Sequence, residues 1–464
     1  MAPVYPRAGN ADRDGRIRTG GLLLPKQARY QAALRPVGLG IMAGPLASAA
    51  AVADVSPLQA LHYDLDRTGG LAPVAAPPYD VIDPEQRSEL LARSPYNVVA
   101  IDLPEGPGDR YAQAAATLHD WREQGIVVAD ADPALWALEQ DYTGPDGSRR
   151  TRHGLFARVR VTDYGPGRIR PHERTHPGPK EDRLRLTRAT RANLSPIFSL
   201  YDGDAWSPLA PHLQGDPFGE LTDDDGTSHR LWRVADPDAI AAAQDALRPA
   251  ELLIADGHHR YETARVYAQE AGTDAARHVL MCLVSLADPG LTIFPTHRLL
   301  TGLDDERRVA LREAIRRDWD VEEVAGDELA PTPDGRVRIG YLDAHHRRPL
   351  RLTLKDPAIA DAALPGKPPA YRRLDTAVTE ALLLQGALGM SEDDISHLRG
   401  LDYARSTAEA RDRIDSGDVQ AGLFMGAAPV ELVREVAAAG EVMPPKSTYF
   451  FPKVPTGLLF NPLA

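Results

Sequence analysis

Residues 254–264 read Ile254-Ala-Asp-Gly-His-His-Arg-Tyr-Glu-Thr-Ala264, and this stretch predicts both the fold and the chemistry of the chain. It has the pattern of an apolar strand that ends in a glycine turn and runs into a helix. The first N–H groups of a helix lack partners within the helix, and the helix dipole adds positive charge there. The turn is therefore predicted to bind an anion, and a phosphate fits best.

The residues of this turn can be given separate roles. Asp256 follows an apolar strand and is predicted to hold Mg²⁺ or to accept a proton. Gly257, His259 and Arg260 are predicted to contact phosphate, Arg260 through a bidentate guanidinium. His258 is predicted to stabilise a transferred group, and adjacent helical residues diverge by about 100°, so both histidines are not expected on one metal. In the competing interpretation, Asp256 caps the helix and His258 is an ordinary surface residue.

A second chemically rich region spans residues 168–191, which contain eight Lys or Arg residues and only three Asp or Glu residues. On a chain with a formal net charge of −13 this local excess of cations indicates an anion site. Arg174, Lys180 and Arg183 are predicted to neutralise phosphate charge. Glu173 is predicted to orient a metal or accept a hydroxyl proton, with His172 as a further catalytic residue. Alternatively, the arginines only pair with acids on the outer face of a helix.

The segment His172-Glu173-Arg-Thr-His176 also matches the zinc-peptidase pattern His-Glu-x-x-His. That pattern requires a helix of several turns, whereas Pro171 and Pro177-Gly-Pro179 leave room for about one turn. A zinc peptidase is therefore a minor alternative.

Composition limits the classes of function. The acidic net charge argues against a nucleic acid or a membrane surface as the main partner. No run of about 20 apolar residues is present, which argues against a membrane span. The single cysteine, Cys282, lies in an apolar run and fits a reducing, cytoplasmic setting.

The order of the patterns predicts a mixed α/β fold, of the α+β or mixed-sheet type. Residues 1–45 read as a disordered leader, residues 46–300 as a core domain that carries both motif regions, and residues 301–464 as a C-terminal α/β region packed on that core. Period-two alternation over 134–161 predicts a β-hairpin, and the apolar run 97–102 predicts a strand. In the tail, Lys446 and Lys453 supply cations, and Lys446 is predicted to close over a phosphate.

Four stretches together resemble the family catalogued as domain of unknown function 1015. The resemblance extends from about Leu58 to the C-terminus, and the family name implies no activity. The stretches are Ala76-Pro-Pro-Tyr-Asp-Val-Ile82, Pro171-His-Glu-Arg-Thr175 with Gly178-Pro-Lys-Glu-Asp-Arg183, Ala255-Asp-Gly-His-His-Arg-Tyr261, and Met443-Pro-Pro-Lys-Ser-Thr-Tyr-Phe450.

The short box Asp256-Gly-His-His-Arg260 is also similar to the nucleotide-contacting box of the ParB/sulfiredoxin-like fold. That fold includes CTP-binding partition proteins, sulfiredoxins and free serine kinases. The partition proteins carry Arg at the position of His259 and have a DNA-binding helix-turn-helix, which this sequence lacks. Sulfiredoxin chemistry requires a reactive cysteine, and Cys282 lies in a buried-looking strand. The Asp-Gly-His-His-Arg form is closest to the kinases.

This resemblance implies a ParB/sulfiredoxin-like nucleotide-binding core with an additional mixed-sheet region. It also implies transfer of a phosphoryl group from a nucleotide, ATP or ADP with Mg²⁺, to a small hydroxylated metabolite. Free serine is the leading acceptor. The alternative is a ParB-like switch that binds a nucleotide without metabolic turnover.

Overall fold

Alternating apolar residues build the main sheet of the molecule. A computed structural model describes residues 53–144, 147–172 and 177–464, all within the unit Ser48–Ala464. The predicted leader 1–45 lies outside the described residues, as do Glu173, Arg174 and His176. The predicted hairpin at 134–161 is confirmed, since Leu135–Thr143 pairs antiparallel with Arg149–Arg160.

Within the described ranges the main sheet has nine strands and is mixed, so the predicted mixed α/β class is confirmed. Leu252–Asp256 lies between a parallel and an antiparallel neighbour. In sheet order the strands are Ile169–Arg170, Leu252–Asp256, Ile197–Tyr201, His278–Ser285, Arg149–Arg160, Leu135–Thr143, Ser228–Val234 and Gly219–Thr222, and Val55–Ser56 pairs with Arg149–Arg160.

A second, antiparallel sheet of six strands lies mostly in the C-terminal part of the chain. Its order is Trp319–Glu323, Leu350–Leu354, Arg338–Asp343, Ala421–Met425, His297–Leu300 and Leu401–Ala404. Three further strand pairs connect distant segments: Leu61–Tyr63 with Val127–Ala129, Thr292–Phe294 with Tyr449–Phe451, and Ala192–Asn193 with Asn461–Pro462.

Helices cover both faces of the main sheet. The α-helices are Leu65–Thr68, Pro84–Arg93, Val99–Asp102, Arg110–Glu123, Pro177–Thr190, Pro237–Leu247, His258–Ala271, Asp305–Asp318, Pro357–Ala363, Pro369–Arg372, Asp375–Thr379, Glu392–Ser396, Thr407–Asp415 and Val430–Ala438, and a π-helix spans Glu380–Ala387. None of these helices is both long and apolar enough to span a membrane.

Two apolar cores flank the main sheet. One contains Tyr261 and Ala264, which come from the helix His258–Ala271. The other contains Phe450, Val454 and Leu458, so the last part of the chain packs against the sheet. This packing brings the C-terminal motif to the strand Leu252–Asp256.

The strand prediction for 97–102 is wrong, because Val99–Asp102 is a helical turn. The Asn97 amide determines this conformation. Its nitrogen donates to the carbonyl oxygens of Pro73 and Ala75, and its oxygen accepts the N–H of Val99 at 3.1 Å. A short apolar run fits a buried strand or a buried helical turn equally well, and here the side-chain bonds of Asn97 favour the helix.

Candidate functional site

The box, defined as Asp256–Arg260, joins a buried strand to a helix. Leu252 to Ala255 are buried, and Gly257 follows Asp256 with φ +94°. A Cβ atom on Gly257 would lie 2.9 Å from Nε of Arg260, so only glycine permits this turn and this arginine together. The helix His258–Ala271 begins without a side-chain cap, which leaves its first N–H groups available to a ligand.

Asp256 holds two cations in place. One carboxylate oxygen accepts from Nζ of Lys453 at 2.9 Å, and the other accepts from Nη2 of Arg260. Burial raises the pKa of Asp256, but the charges of Lys453 and Arg260 outweigh burial and hold the pKa well below its usual value. The carboxylate is therefore ionised at neutral pH and is a weak proton acceptor.

Arg260 is almost fully enclosed, and its guanidinium is anchored at two points. Nη1 donates to the carbonyl oxygen of Pro196 and Nη2 donates to Asp256. Nε is buried and has no hydrogen-bond partner within the described part of the chain. An orphaned buried donor beside an uncapped helix start is what a phosphate oxygen would satisfy.

His172 and His258 form a buried pair of rings, with centroids 4.7 Å apart. Nδ1 of His172 faces the carbonyl oxygen of Ile254 at 2.5 Å and must donate to it, and Nε2 lies 2.7 Å from the Thr448 hydroxyl, which can donate or accept. Nε2 of His258 accepts the backbone N–H of His172 at 3.3 Å. This bond requires the neutral form of His258.

Burial, with a smaller contribution from the neighbouring His172, lowers the pKa of His258 well below its usual value. His258 is therefore neutral at pH 7. His259 is only partly buried, so the two adjacent imidazoles lie in different surroundings, as the sequence predicted.

Arg183 lies inside the protein rather than on the outer face of its helix Pro177–Thr190. Its Nη1 donates to the Asp102 carbonyl oxygen at 2.6 Å, and its Nη2 pairs with Asp182 at 2.6 Å. The guanidinium lies 4.1 Å from the ring centroid of Tyr79. Burial lowers the pKa of Arg183, but Asp102 and Asp182 reverse that effect and raise it.

The remaining cations of this region have different surroundings. The carbonyl oxygen of Lys180 accepts from the Thr263 hydroxyl at 3.4 Å, which places the helix Pro177–Thr190 beside the helix His258–Ala271. Arg188 pairs with Glu270 at 2.6 Å with both side chains well exposed. The interpretation of an outer-face ion pair therefore describes Arg188, whereas Arg183 is buried.

Two predicted roles involve a metal: the zinc-peptidase pattern at residues 172–176 and the binding of Mg²⁺ by Asp256. Glu173, Arg174 and His176 lie outside the described residues, so the zinc-peptidase pattern stays a prediction. Over residues 53–144, 147–172 and 177–464, no group of three or more His, Cys, Asp or Glu side chains is placed to hold a metal ion. Both oxygens of Asp256 already accept from cations, and these two positive charges disfavour a Mg²⁺ ion on the same carboxylate.

Of the two C-terminal lysines, the chain places Lys453 at the box. The carbonyl oxygen of Lys446 accepts from Nη1 of Arg298 at 3.1 Å. Seven residues later, Lys453 follows a Phe-Pro pair and reaches Asp256. The sequence motif favoured Lys446 as the phosphate-binding lysine and contained no signal for the contact of Lys453 with Asp256.

A buried polar network behind Lys453 has no sequence signature at all. The Gln140 amide donates to the carbonyl oxygen of Lys453 at 3.0 Å and to Nδ1 of His229 at 3.0 Å. Its oxygen accepts from the buried guanidinium of Arg152. Nε2 of His229 then donates to Asp223 at 2.8 Å. Every hydrogen-bonding position of Gln140 is used, which fixes the backbone that carries Lys453.

Solved structures similar to this chain have low sequence identity and low TM-scores. A conserved hypothetical protein from Pyrococcus furiosus is 15% identical with a TM-score of 0.34, over 65% of this chain and 93% of that chain. A free serine kinase in complex with AMP is 14% identical with a TM-score of 0.33, over 64% and 86%. SbnI from Staphylococcus aureus, with a C-terminal truncation, is 12% identical with a TM-score of 0.32, over 64% and 82%.

No curated protein matches the sequence. A family model does match, over residues 55–377, and these residues include the box and the Pro171 to Arg183 region. The site therefore lies within the matched part of the chain, except for the C-terminal segment that supplies Thr448 and Lys453. The chain belongs to the family described as protein of unknown function DUF1015.

Proposed function

We propose that this protein binds a nucleotide, ATP or ADP, at the box and transfers a phosphoryl group to a small hydroxylated metabolite, with free serine as the leading acceptor. The proposal includes a ParB/sulfiredoxin-like core over residues 46–300 and a C-terminal region over 301–464. The observation that carries it is the uncapped helix start at Gly257, flanked by Arg260 and Lys453, whose side chains are only 10% and 17% exposed.

The hydrogen-bond donors at the box favour a phosphate. Asp256 pairs with both Arg260 and Lys453, and Nε of Arg260 still lacks a hydrogen-bond partner among the described residues. A phosphate oxygen at the helix start would accept from N–H groups of the uncapped first turn and from that Nε, in a setting of low dielectric where such bonds are strong. Because Asp256 and Pro196 already hold the guanidinium, little side-chain entropy remains to be lost on binding.

The proton has to leave the acceptor hydroxyl through another group. The low pKa of Asp256 makes it a poor base, so we assign to it the role of holding Arg260 and Lys453. Glu173 is the proposed proton acceptor, and it follows His172, which contacts His258. The neutral His258 is proposed to form a hydrogen bond at the transferred group without adding fixed charge. His172, whose ring nitrogens bond to Ile254 and Thr448, is proposed to hold His258 in position.

Mg²⁺ is part of the proposal as a partner of the nucleotide phosphates, whose charge it would neutralise. Proteins often bind this ion through one or two carboxylates together with phosphate oxygens, so a cage made only of protein ligands is not required. Within the described ranges, Asp256 and Asp80 are the carboxylates beside Arg260 and Lys453.

The proposal is tested by incubating the pure protein with ATP, ADP or CTP, Mg²⁺ and a pool of hydroxylated metabolites, with detection of phosphorylated products by mass spectrometry. Product should form with the native chain and be lost in Arg260→Ala and Glu173→Gln. Arg188→Ala is the matched control, because that guanidinium makes an exposed ion pair away from the box. Nucleotide binding without any product would favour the switch, and tight stoichiometric zinc would favour the peptidase.

A further inference from the structure

A cleft of about 160 Å³ is lined in part by Lys453. This volume lies below that of drug-sized ligand sites, so the cleft suits only a small metabolite. One wall is apolar and comes from the Ala76-Pro-Pro motif and from Leu90. The opposite wall carries Asp223, Asp224 and Asp225 together with Arg405 and Tyr449. We call this space the acceptor cleft.

The acceptor cleft is directly connected to the box through one side chain. Nζ of Lys453 lies 2.9 Å from Asp256 and 4.6 Å from the ring centroid of Tyr449. The ammonium group of Lys453 therefore lies between the ring of Tyr449 and the carboxylate that holds Arg260.

The charges that line the cleft almost cancel, and several are already paired. Arg93 pairs with Asp224 at 2.9 Å, and Asp223 accepts from His229 at 2.8 Å. Two opposite charges are left facing the cleft. Over the described ranges, Asp225 has no hydrogen bond or ion pair and Arg405 makes no ion pair, although its guanidinium lies 5.3 Å from the Tyr449 centroid.

The acidic wall is a surface turn in which Asp224 and Asp225 are exposed, and its first residue, Asp223, is anchored to a buried histidine. His229 is fully buried and receives a hydrogen bond from Gln140, which also holds the backbone of Lys453. Asp223 and Lys453 are thus fixed relative to each other through a single buried amide. Partial burial and the negative charge of Asp223 raise the pKa of Asp225, while Arg405 opposes this shift. An ammonium group near Asp225 would relieve that repulsion.

We propose that the acceptor cleft binds the phosphoryl acceptor as a small zwitterion, with its ammonium group at Asp225 and its carboxylate at Arg405. That the bound molecule accepts a phosphoryl group rests on the proposed function, whereas its zwitterionic character is inferred from the cleft alone. A nucleotide polyphosphate fits this space poorly, because among the described lining residues it would meet three aspartates and only one unpaired cation.

The test measures binding of three probes to the full chain by calorimetry in the absence of nucleotide. The probes are L-serine, ethanolamine, which lacks the carboxylate, and 3-hydroxypropionate, which lacks the ammonium. L-serine should bind at least tenfold more tightly than either of the others. Arg405→Gln should remove the preference over ethanolamine, and Asp225→Asn should remove the preference over 3-hydroxypropionate. Arg348→Gln, an exposed residue paired with Glu323 in the second sheet, should change nothing.

Three results would overturn the inference: no binding of L-serine or any other common amino acid, equal affinity for all three probes, or a loss of ADP binding in Arg405→Gln with serine binding intact. Zwitterion binding without phosphorylated product would contradict the proposed kinase function but support the assignment of the cleft. Phosphorylation of a metabolite that has no ammonium group would support the kinase function but contradict the assignment of the cleft.

Discussion

Substitution of Gly257 by alanine tests the geometry of the box. An L-residue at φ +94° costs about 1–2 kcal/mol relative to glycine. The new Cβ would also lie 2.9 Å from Nε and 3.1 Å from Cζ of Arg260, so the guanidinium must move. Loss of its charge-assisted bond to Asp256 adds about 1.5–3 kcal/mol. We expect a total loss of about 2.5–5 kcal/mol in local stability and at least a tenfold loss of ATP or ADP affinity, measured by denaturation and by calorimetry.

Gly272→Ala provides the matched control at the other end of the same helix. Gly272 also has a positive φ, of +66°, but no heavy atom of the described residues lies within 4 Å of the place that an alanine methyl group would take. This variant should suffer only the backbone cost of about 1–2 kcal/mol and keep its nucleotide affinity. If both variants lose the same stability and the same affinity, the packing of Arg260 against Gly257 has no role in the site.

Three further predictions concern groups away from the helix start. Burial lowers the pKa of His297 to about 4. The free energy of unfolding should therefore be greatest above pH 6.5 and fall by up to about 3 kcal/mol as the pH drops toward 4. His297→Gln should flatten this pH dependence in a thermal denaturation series. Lys453→Met should weaken nucleotide binding at least tenfold in calorimetry, because Asp256 would then compete with the nucleotide phosphate for Arg260. Unchanged affinity would refute the role of Lys453 at the box. Gln140→Leu should lower the melting temperature through three unpaired partners, and an unchanged temperature would count against the network.

Local signals were enough to predict the centre of the site. The strand, glycine turn and helix at the box follow from apolar run length and from the need for glycine at a positive φ. His172 and His258 were each predicted to be catalytic residues, and the fold places their ring centroids 4.7 Å apart. In both places the determining residues are neighbours in the chain or carry an unusual charge pattern.

Other parts depend on packing that no local pattern records. Lys446 was predicted to close over a phosphate, but the pairing of Tyr449–Phe451 with Thr292–Phe294 brings Lys453 to Asp256. Gln140 is one polar residue in an alternating strand, and its four bonds come from three distant segments. The helical turn at 99–102 was mistaken for a strand because the bonds of Asn97 reach residues more than 20 positions away.

The C-terminal segment has a consequence for biosynthesis. Its residues Thr456, Phe460 and Leu463 form backbone hydrogen bonds with Ala76, Leu61 and Arg191, and it carries Lys453 to Asp256. During translation the strands and helices of the main sheet emerge first and can begin to fold on the ribosome. Asp256 cannot contact both Arg260 and Lys453 until Lys453 has been synthesised. We therefore expect nascent chains that stall before this residue to be inactive, however much of the sheet they have formed.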